Sequence, residues 1–211
     1  MRYYTQPEEM IYNEINSVIT EEKLERSFRK KFPDEDFDMW LEVYNETYQI
    51  RRKYVQGTGT FLFFTTKGST KFHEHILDMV IKKLQNNKIK YRRGQVRRGA
   101  DIFIFDKEGK KYAIELETSL LHSAQTRPRL KYRIEHCKEE TVIILTLNTT
   151  DKQKYVKSDL PYLYKNVKIM TIEEMVKLFR KKDKTEISGK PPIVELRVNS
   201  TPREVINNVK R

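Results

Sequence analysis

Cysteine is almost absent. Cys137 is the only one, which excludes an intrachain disulfide and a cysteine-built zinc site; at a helix end before an apolar strand, it reads as core. No apolar run approaches the roughly 20 residues that span a bilayer. The opening Met1-Arg-Tyr-Tyr-Thr-Gln6 lacks the apolar stretch of a secretory signal, so an intracellular protein without membrane contact is expected. No glycine-rich loop has nucleotide-binding spacing, and Gly57-Thr-Gly59 reads as a turn; no small-molecule cofactor is expected. His73-Glu-His75 is not the i, i+4 histidine pair of a zinc protease, because alternate helix residues point to different faces. Internal repeats and extended low-complexity tracts are missing as well.

Charge is what the chain has in abundance. Charged residues make up 34% of it, with 42 Lys and Arg against 30 Asp and Glu, a net of +12. Residues 1–56 hold 9 basic and 12 acidic residues, a net of −3, which leaves +15 for the rest. A phosphodiester polyanion is the natural partner of such a surface.

Residues 8–56 read as three helices. Pro7-Glu-Glu9 opens the first, Thr20 heads the second, and Pro33-Asp-Glu-Asp36 starts a third that carries Phe37, Trp40, Leu41 and Tyr44. Two strand-like runs follow around the Gln56–Gly59 turn, and the segment from Phe63 to Gly68 resembles the end of a wing. This is the order of a winged-helix-like module over residues 1–68. Its third helix holds Asp34, Glu35, Asp36, Asp38, Glu42 and Glu46, which phosphates repel. A dimerisation or structural role is therefore expected, and the basic residues Arg51, Arg52 and Lys53 fall on the wing strand.

From Ser69 or Thr70 an amphipathic helix runs to about Gln85 on Phe72, Ile76, Met79, Val80 and Leu84. A strand over Lys88–Arg92 leads to a basic loop with Arg97 and Arg98. Then comes a hairpin of unusual composition. Asp101-Ile-Phe-Ile-Phe-Asp106 alternates like a strand, Lys107-Glu-Gly109 supplies a three-residue loop, and Tyr112-Ala-Ile-Glu-Leu-Glu117 returns. With Asp106 facing Lys110, Asp101 lies opposite Glu115, and Glu117 shares their face. Like charges so placed destabilise a sheet unless neutralised, and a divalent cation with oxygen ligands is the simplest neutraliser. Ordinary surface charge balanced by Lys110 and Lys111 is the plainer alternative. A helix with Arg127, Arg129, Lys131 and Arg133, a buried strand over 141–147, a polar helix near 151–157, a strand over 167–170 and a capping box at Thr171-Ile-Glu-Glu174 complete an α/β (α+β) core over 69–182. Residues 183–211 form a polar C-terminal extension.

With its acids at these points, that order resembles the PD-(D/E)XK nuclease superfamily, the restriction endonuclease-like and archaeal Holliday junction resolvase-like fold. Its αβββαβ core would cover about Ser69 to Leu147. The chain also resembles small nuclease-like proteins of crenarchaeal spindle-shaped viruses. The resemblance matches Glu74 to the family's acid on the first core helix, Asp101 to the acid of the second strand and Glu115 to the first acid of the third. It implies that Asp101, Glu115 and the Leu116 carbonyl hold Mg²⁺ or Mn²⁺, and that Glu74 holds a second ion or a metal-bound water. The family's usual third motif ends in Lys, where this chain has Glu117. Some restriction endonucleases carry Glu there, and other members take the lysine from the following helix, where Lys131 stands, with Gln125 a further polar contributor. Glu117 or Lys131 would orient or deprotonate water. Arg92, Arg93, Arg97, Arg98, Arg127 and Arg129 would bind phosphates.

The activity implied is a metal-dependent DNA endonuclease, on double-stranded or branched and junction DNA and as a homodimer, in the host cytoplasm if viral. Two alternatives stay open: a non-catalytic DNA-binding regulator with a degenerate nuclease core, and an RNA-binding or scaffold protein.

Overall fold

The computed structural model describes residues 6–94, 100–118, 126–137 and 141–184. Arg97, Arg98, Gln125 and the extension beyond residue 184 lie outside these described residues.

The first unit runs α1 (Gln6–Asn16), β1 (Ile19–Thr20), α2 (Glu21–Lys31), α3 (Phe37–Tyr48), β2 (Ile50–Val55) and β3 (Gly59–Phe64), with its antiparallel sheet ordered β1-β3-β2. Ile11, Ile15, Leu24, Phe28, Leu41 and Tyr44 pack on Leu62 of the sheet. The third helix starts later than Pro33. Asp36 is its cap, accepting from the Asp38 N–H at 2.9 Å and the Met39 N–H at 3.3 Å, which satisfies donors the first turn leaves open.

The stretch read as the end of the wing is corrected by the structure. β3 stops at Phe64 and the long helix α4 (Thr65–Asn86) begins at once. The reason is packing: Phe63 stacks on Phe72 with ring centroids 4.4 Å apart, so strand and helix enter one core together. Val18, Val55 and Phe61 join Phe72, Ile76 and Val80 in that cluster. The β2–β3 turn is also tied down, the Gln56 N–H donating to the Leu147 carbonyl at 2.9 Å and Asn148 Nδ2 to the Tyr54 carbonyl at 3.1 Å.

After α4 come β4 (Tyr91–Arg93), β5 (Ile102–Phe105), β6 (Lys111–Glu117), α5 (Thr126–His136), β7 (Thr141–Thr146), α6 (Thr149–Val156), α7 (Leu160–Leu163), β8 (Val167–Thr171) and α8 (Ile172–Lys184). The second sheet is ordered β4-β5-β6-β7-β8, antiparallel at its first two junctions and parallel at its last two. The fold is thus mixed α/β, and α4 to β7 follow the expected αβββαβ order. The strand expected from Lys88 starts at Tyr91, because Lys88 takes a left-handed φ of 56° and the Ile89 N–H closes onto the Leu84 carbonyl at 3.0 Å, ending α4. The capping box at Thr171 forms: its N–H donates to Glu174 Oε2 at 2.9 Å, and the Glu174 N–H to Thr171 Oγ1 at 3.3 Å.

Strand alternation sorts β6 between two cores. Tyr112, Ile114 and Leu116 join the cluster that includes residues of α4 and α8, whereas Ala113 joins Leu130, Ile134 and Tyr155 from α5 and α6. Glu115 and Glu117 share the parity of Ala113 and so lie on the α5–α6 side. No helix among the described residues is long and apolar enough to cross a membrane.

Candidate functional site

The hairpin sets the site. Gly109 takes a φ of 79° and its N–H meets the Asp106 carbonyl at 3.0 Å, while the Asp106 N–H reaches the Lys110 carbonyl at 3.0 Å. Asp106 locks this loop further by accepting from the Lys110 N–H at 2.8 Å and the Tyr112 hydroxyl at 3.0 Å. Ile102 then pairs with Ile114 and Phe105 with Lys111, the register expected from the sequence. Asp101 ends up beside the third strand, its Oδ2 accepting from the Leu116 N–H at 2.8 Å.

These acids are not surface charge. The Asp101 side chain is 14% exposed, Glu115 1% and Glu117 3%. Lys110 and Lys111 do not balance them; they sit toward the loop end, over the rings of Tyr112 and Phe103. The cation that does is Arg133 of α5, bonded through Nη1 to Glu115 Oε2 and 3.6 Å from Asp101 Oδ1. His73 of α4 approaches Asp101 Oδ1 to 3.6 Å through Nε2. The Tyr155 hydroxyl of α6 donates to Glu117 Oε2 at 3.3 Å.

Among the described residues, Arg133 is the one guanidinium within 3.6 Å of Asp101 and Glu115. Burial, reinforced by the charge of Asp101, pushes the Glu115 carboxyl up to about 8 despite Arg133. Glu115 Oε1 is buried with no hydrogen-bond partner among the described residues. Burial also opposes ionisation of Asp101, yet His73, the Leu116 N–H and Arg133 together hold its carboxyl below the usual range. Arg133 is raised: burial works against its charge, and Glu115 and then Asp101 outweigh it.

Two expected members do not join this group. Glu74 instead pairs with Arg93, which also reaches Asp78 at 3.3 Å. Neighbouring helix residues diverge by about 100°, and α4 presents His73 to Asp101. Among the described residues, no group of three or more His, Cys, Asp or Glu side chains lies close enough to hold a metal ion, so Glu74, Asp101 and Glu115 do not converge on one. Lys131 is displaced by the same geometry: it is two positions from Arg133, about 200° round the helix, and i, i+2 residues do not share a face. The sequence did carry a signal for Arg133, which adjoins the buried stripe of Leu130 and Ile134 and so borders whatever α5 covers. Tyr155 and His73 had no such signal, since their roles depend on how α6 and the start of α4 pack.

The basic residues divide similarly. Arg92 is exposed on β4 with Cζ 5.2 Å over the Phe103 ring, whereas Arg93 is engaged by Glu74 and Asp78. Arg127 and Arg129 fall within α5, and their side chains lie outside the described residues. No family model matches the sequence, and no curated protein matches it.

Proposed function

We propose that the protein is a metal-dependent DNA endonuclease centred on Asp101 and Glu115. The observation that carries this reading is two buried, adjacent carboxylates, Asp101 and Glu115, that share one arginine among the described residues; burial pushes the Glu115 carboxyl up to about 8, and its Oε1 has no hydrogen-bond partner among those residues. An all-oxygen donor set of this kind suits a hard cation such as Mg²⁺ or Mn²⁺. Asp101 and Glu115, with the Leu116 carbonyl, would hold it. When bound, such an ion polarises a phosphoryl oxygen and lowers the pKa of its water. Glu117, two residues along the same face and hydrogen-bonded by Tyr155, would orient water or accept its proton. Arg133 offers a planar donor pair suited to a phosphate oxygen once the carboxylates have another counter-ion.

The basic balance of residues beyond 56 supports a polyanionic substrate. Branched or junction DNA, a homodimer and an intracellular setting extend the same proposal from the family resemblance. The first unit fits a structural or self-associating role. Asp38, Glu42 and Glu46 are exposed on α3 beside exposed Met39 and Val43, and the β2–β3 turn is bonded to the core.

One observation favours a second reading. Arg133 already bridges the two acids, and Glu117 stands where the family's lysine would be, an arrangement that fits a DNA-binding regulator with a degenerate core. Purified protein with Mg²⁺ or Mn²⁺ and linear, branched and junction DNA separates the two. Cleavage lost in Asp101→Asn with binding retained supports the nuclease; salt-dependent binding without any cleavage supports the regulator. Absence of DNA binding sinks both.

A further inference from the structure

The face that carries Asp101 continues along β5 into a surface of different character. Phe103 lies two residues further on the same side of the strand, about 7 Å away. It is only partly buried, and α5 covers β6 and β7 beside it. Two cations flank its ring: the Arg92 guanidinium, directly across the β4–β5 pair, at 5.2 Å, and Lys111 Nζ at 4.2 Å. Beyond it, Lys90 Nζ stands 5.9 Å from the ring of Phe105. At the loop end of the hairpin, a cavity of about 330 Å³ is lined by Lys88, Lys90, Phe105 and Lys107 together with Ile89 and Phe179, which belong to the core on the other side of the sheet. The acid there, Asp106, has its carboxylate engaged by Lys110 and Tyr112.

Aromatic rings on one strand, flanked by cations from the chain on either side of it, match one polymer chemistry well. A base stacks on the ring while the backbone phosphates meet the neighbouring Lys and Arg. A duplex hides its base faces within its own stack, so only an unpaired strand can use such a platform. We infer that the β4–β5 face is a binding track for single-stranded DNA, with Phe103 as the stacking residue and Arg92 and Lys111 as phosphate contacts, leading toward Asp101. This deepens the nuclease proposal by naming its substrate as unpaired strand, and it rests on that proposal for the direction of the track.

The test is fluorescence anisotropy with a ten-nucleotide oligo-dT and a hairpin duplex, in EDTA so that nothing is cut. Phe103→Leu keeps an apolar side chain but loses the ring, and is expected to weaken oligo-dT binding about tenfold while the duplex changes less than about twofold. Phe103→Trp restores the affinity. Arg92→Ala, at an exposed position that tolerates substitution, reduces the salt dependence of oligo-dT binding by about one counterion. Unchanged oligo-dT affinity in Phe103→Leu, or equal weakening of strand and duplex, overturns the inference. If Phe103→Leu melts without cooperativity, Phe103→Trp decides: weakened oligo-dT binding overturns the track. Tighter binding of oligo-U than oligo-dT overturns its assignment to DNA. Absence of cleavage with Mg²⁺ or Mn²⁺ would remove the catalytic reading alone, because these measurements contain no cutting step.

Discussion

Two sets of carboxylates in this molecule have the same chemistry and opposite fates. On α3, Asp38, Glu42 and Glu46 point to solvent, and water screens their charges from one another. Beside β6, Asp101, Glu115 and Glu117 are withdrawn from water, and among the described residues the first two share the guanidinium of Arg133. The second set forces a compromise in which one acid is held ionised and its neighbour is pushed toward the protonated form. A run of acids is thus uninformative until its solvent access is known. Buried acids on paired strands must recruit a proton, an arginine or a metal.

The largest test of that contrast is catalytic. Asp101→Asn or Glu115→Gln should reduce Mg²⁺- or Mn²⁺-dependent DNA cleavage by about a thousandfold or more, with DNA affinity retained. Glu42→Gln and Glu46→Gln should leave the rate unchanged. Equal losses from both sets would erase the distinction.

The second concerns the counter-ion. Arg133→Met removes the cation from between two buried acids and should cost about 3 kcal/mol in denaturant unfolding at pH 8. The loss should shrink at pH 5, where Glu115 is neutral in either protein.

The third is the pH dependence itself. The folded-state value of Glu115, about 8, lies above its ordinary 4.5, so between those values the folded chain binds the extra proton. Its stabilising contribution is complete below about pH 4.5 and is lost as pH rises through 8, with a slope of at most about 1.4 kcal/mol per pH unit. Asp101 acts in the opposite sense: its depressed value contributes stability at neutral pH that is lost under acid. Urea titrations from pH 5 to 9 should show the alkaline loss in the wild type and a flattened curve in Glu115→Gln.

The smallest effect belongs to the hydroxyl beside Glu117. Tyr155→Phe should cost about 1 kcal/mol, the worth of a typical buried hydrogen bond, measured as a shift of the urea midpoint. The α3 substitutions provide the floor, within about 0.5 kcal/mol of the wild type.

The amino-acid sequence by itself determined what is periodic or local. The alternation of β5 and β6, the Gly109 loop, and hence the Asp101–Glu115 register were legible, because a short loop and period-2 alternation leave one pairing. The apolar stripe of α4 and the Thr171 capping box were legible for the same local reasons. Only the tertiary structure decided which side chains meet across elements. Glu74 and His73 are neighbours in sequence, and Lys131 and Arg133 lie within one helical turn, so composition treats each pair as equivalents. The rotation of α4 and α5 against the sheet selects His73 and Arg133, since about 100° per residue turns a near neighbour onto another face. The packing of β3 into the same core as α4 was equally invisible, because it follows from Phe63 and Phe72 sharing one cluster rather than from any break or linker in the chain.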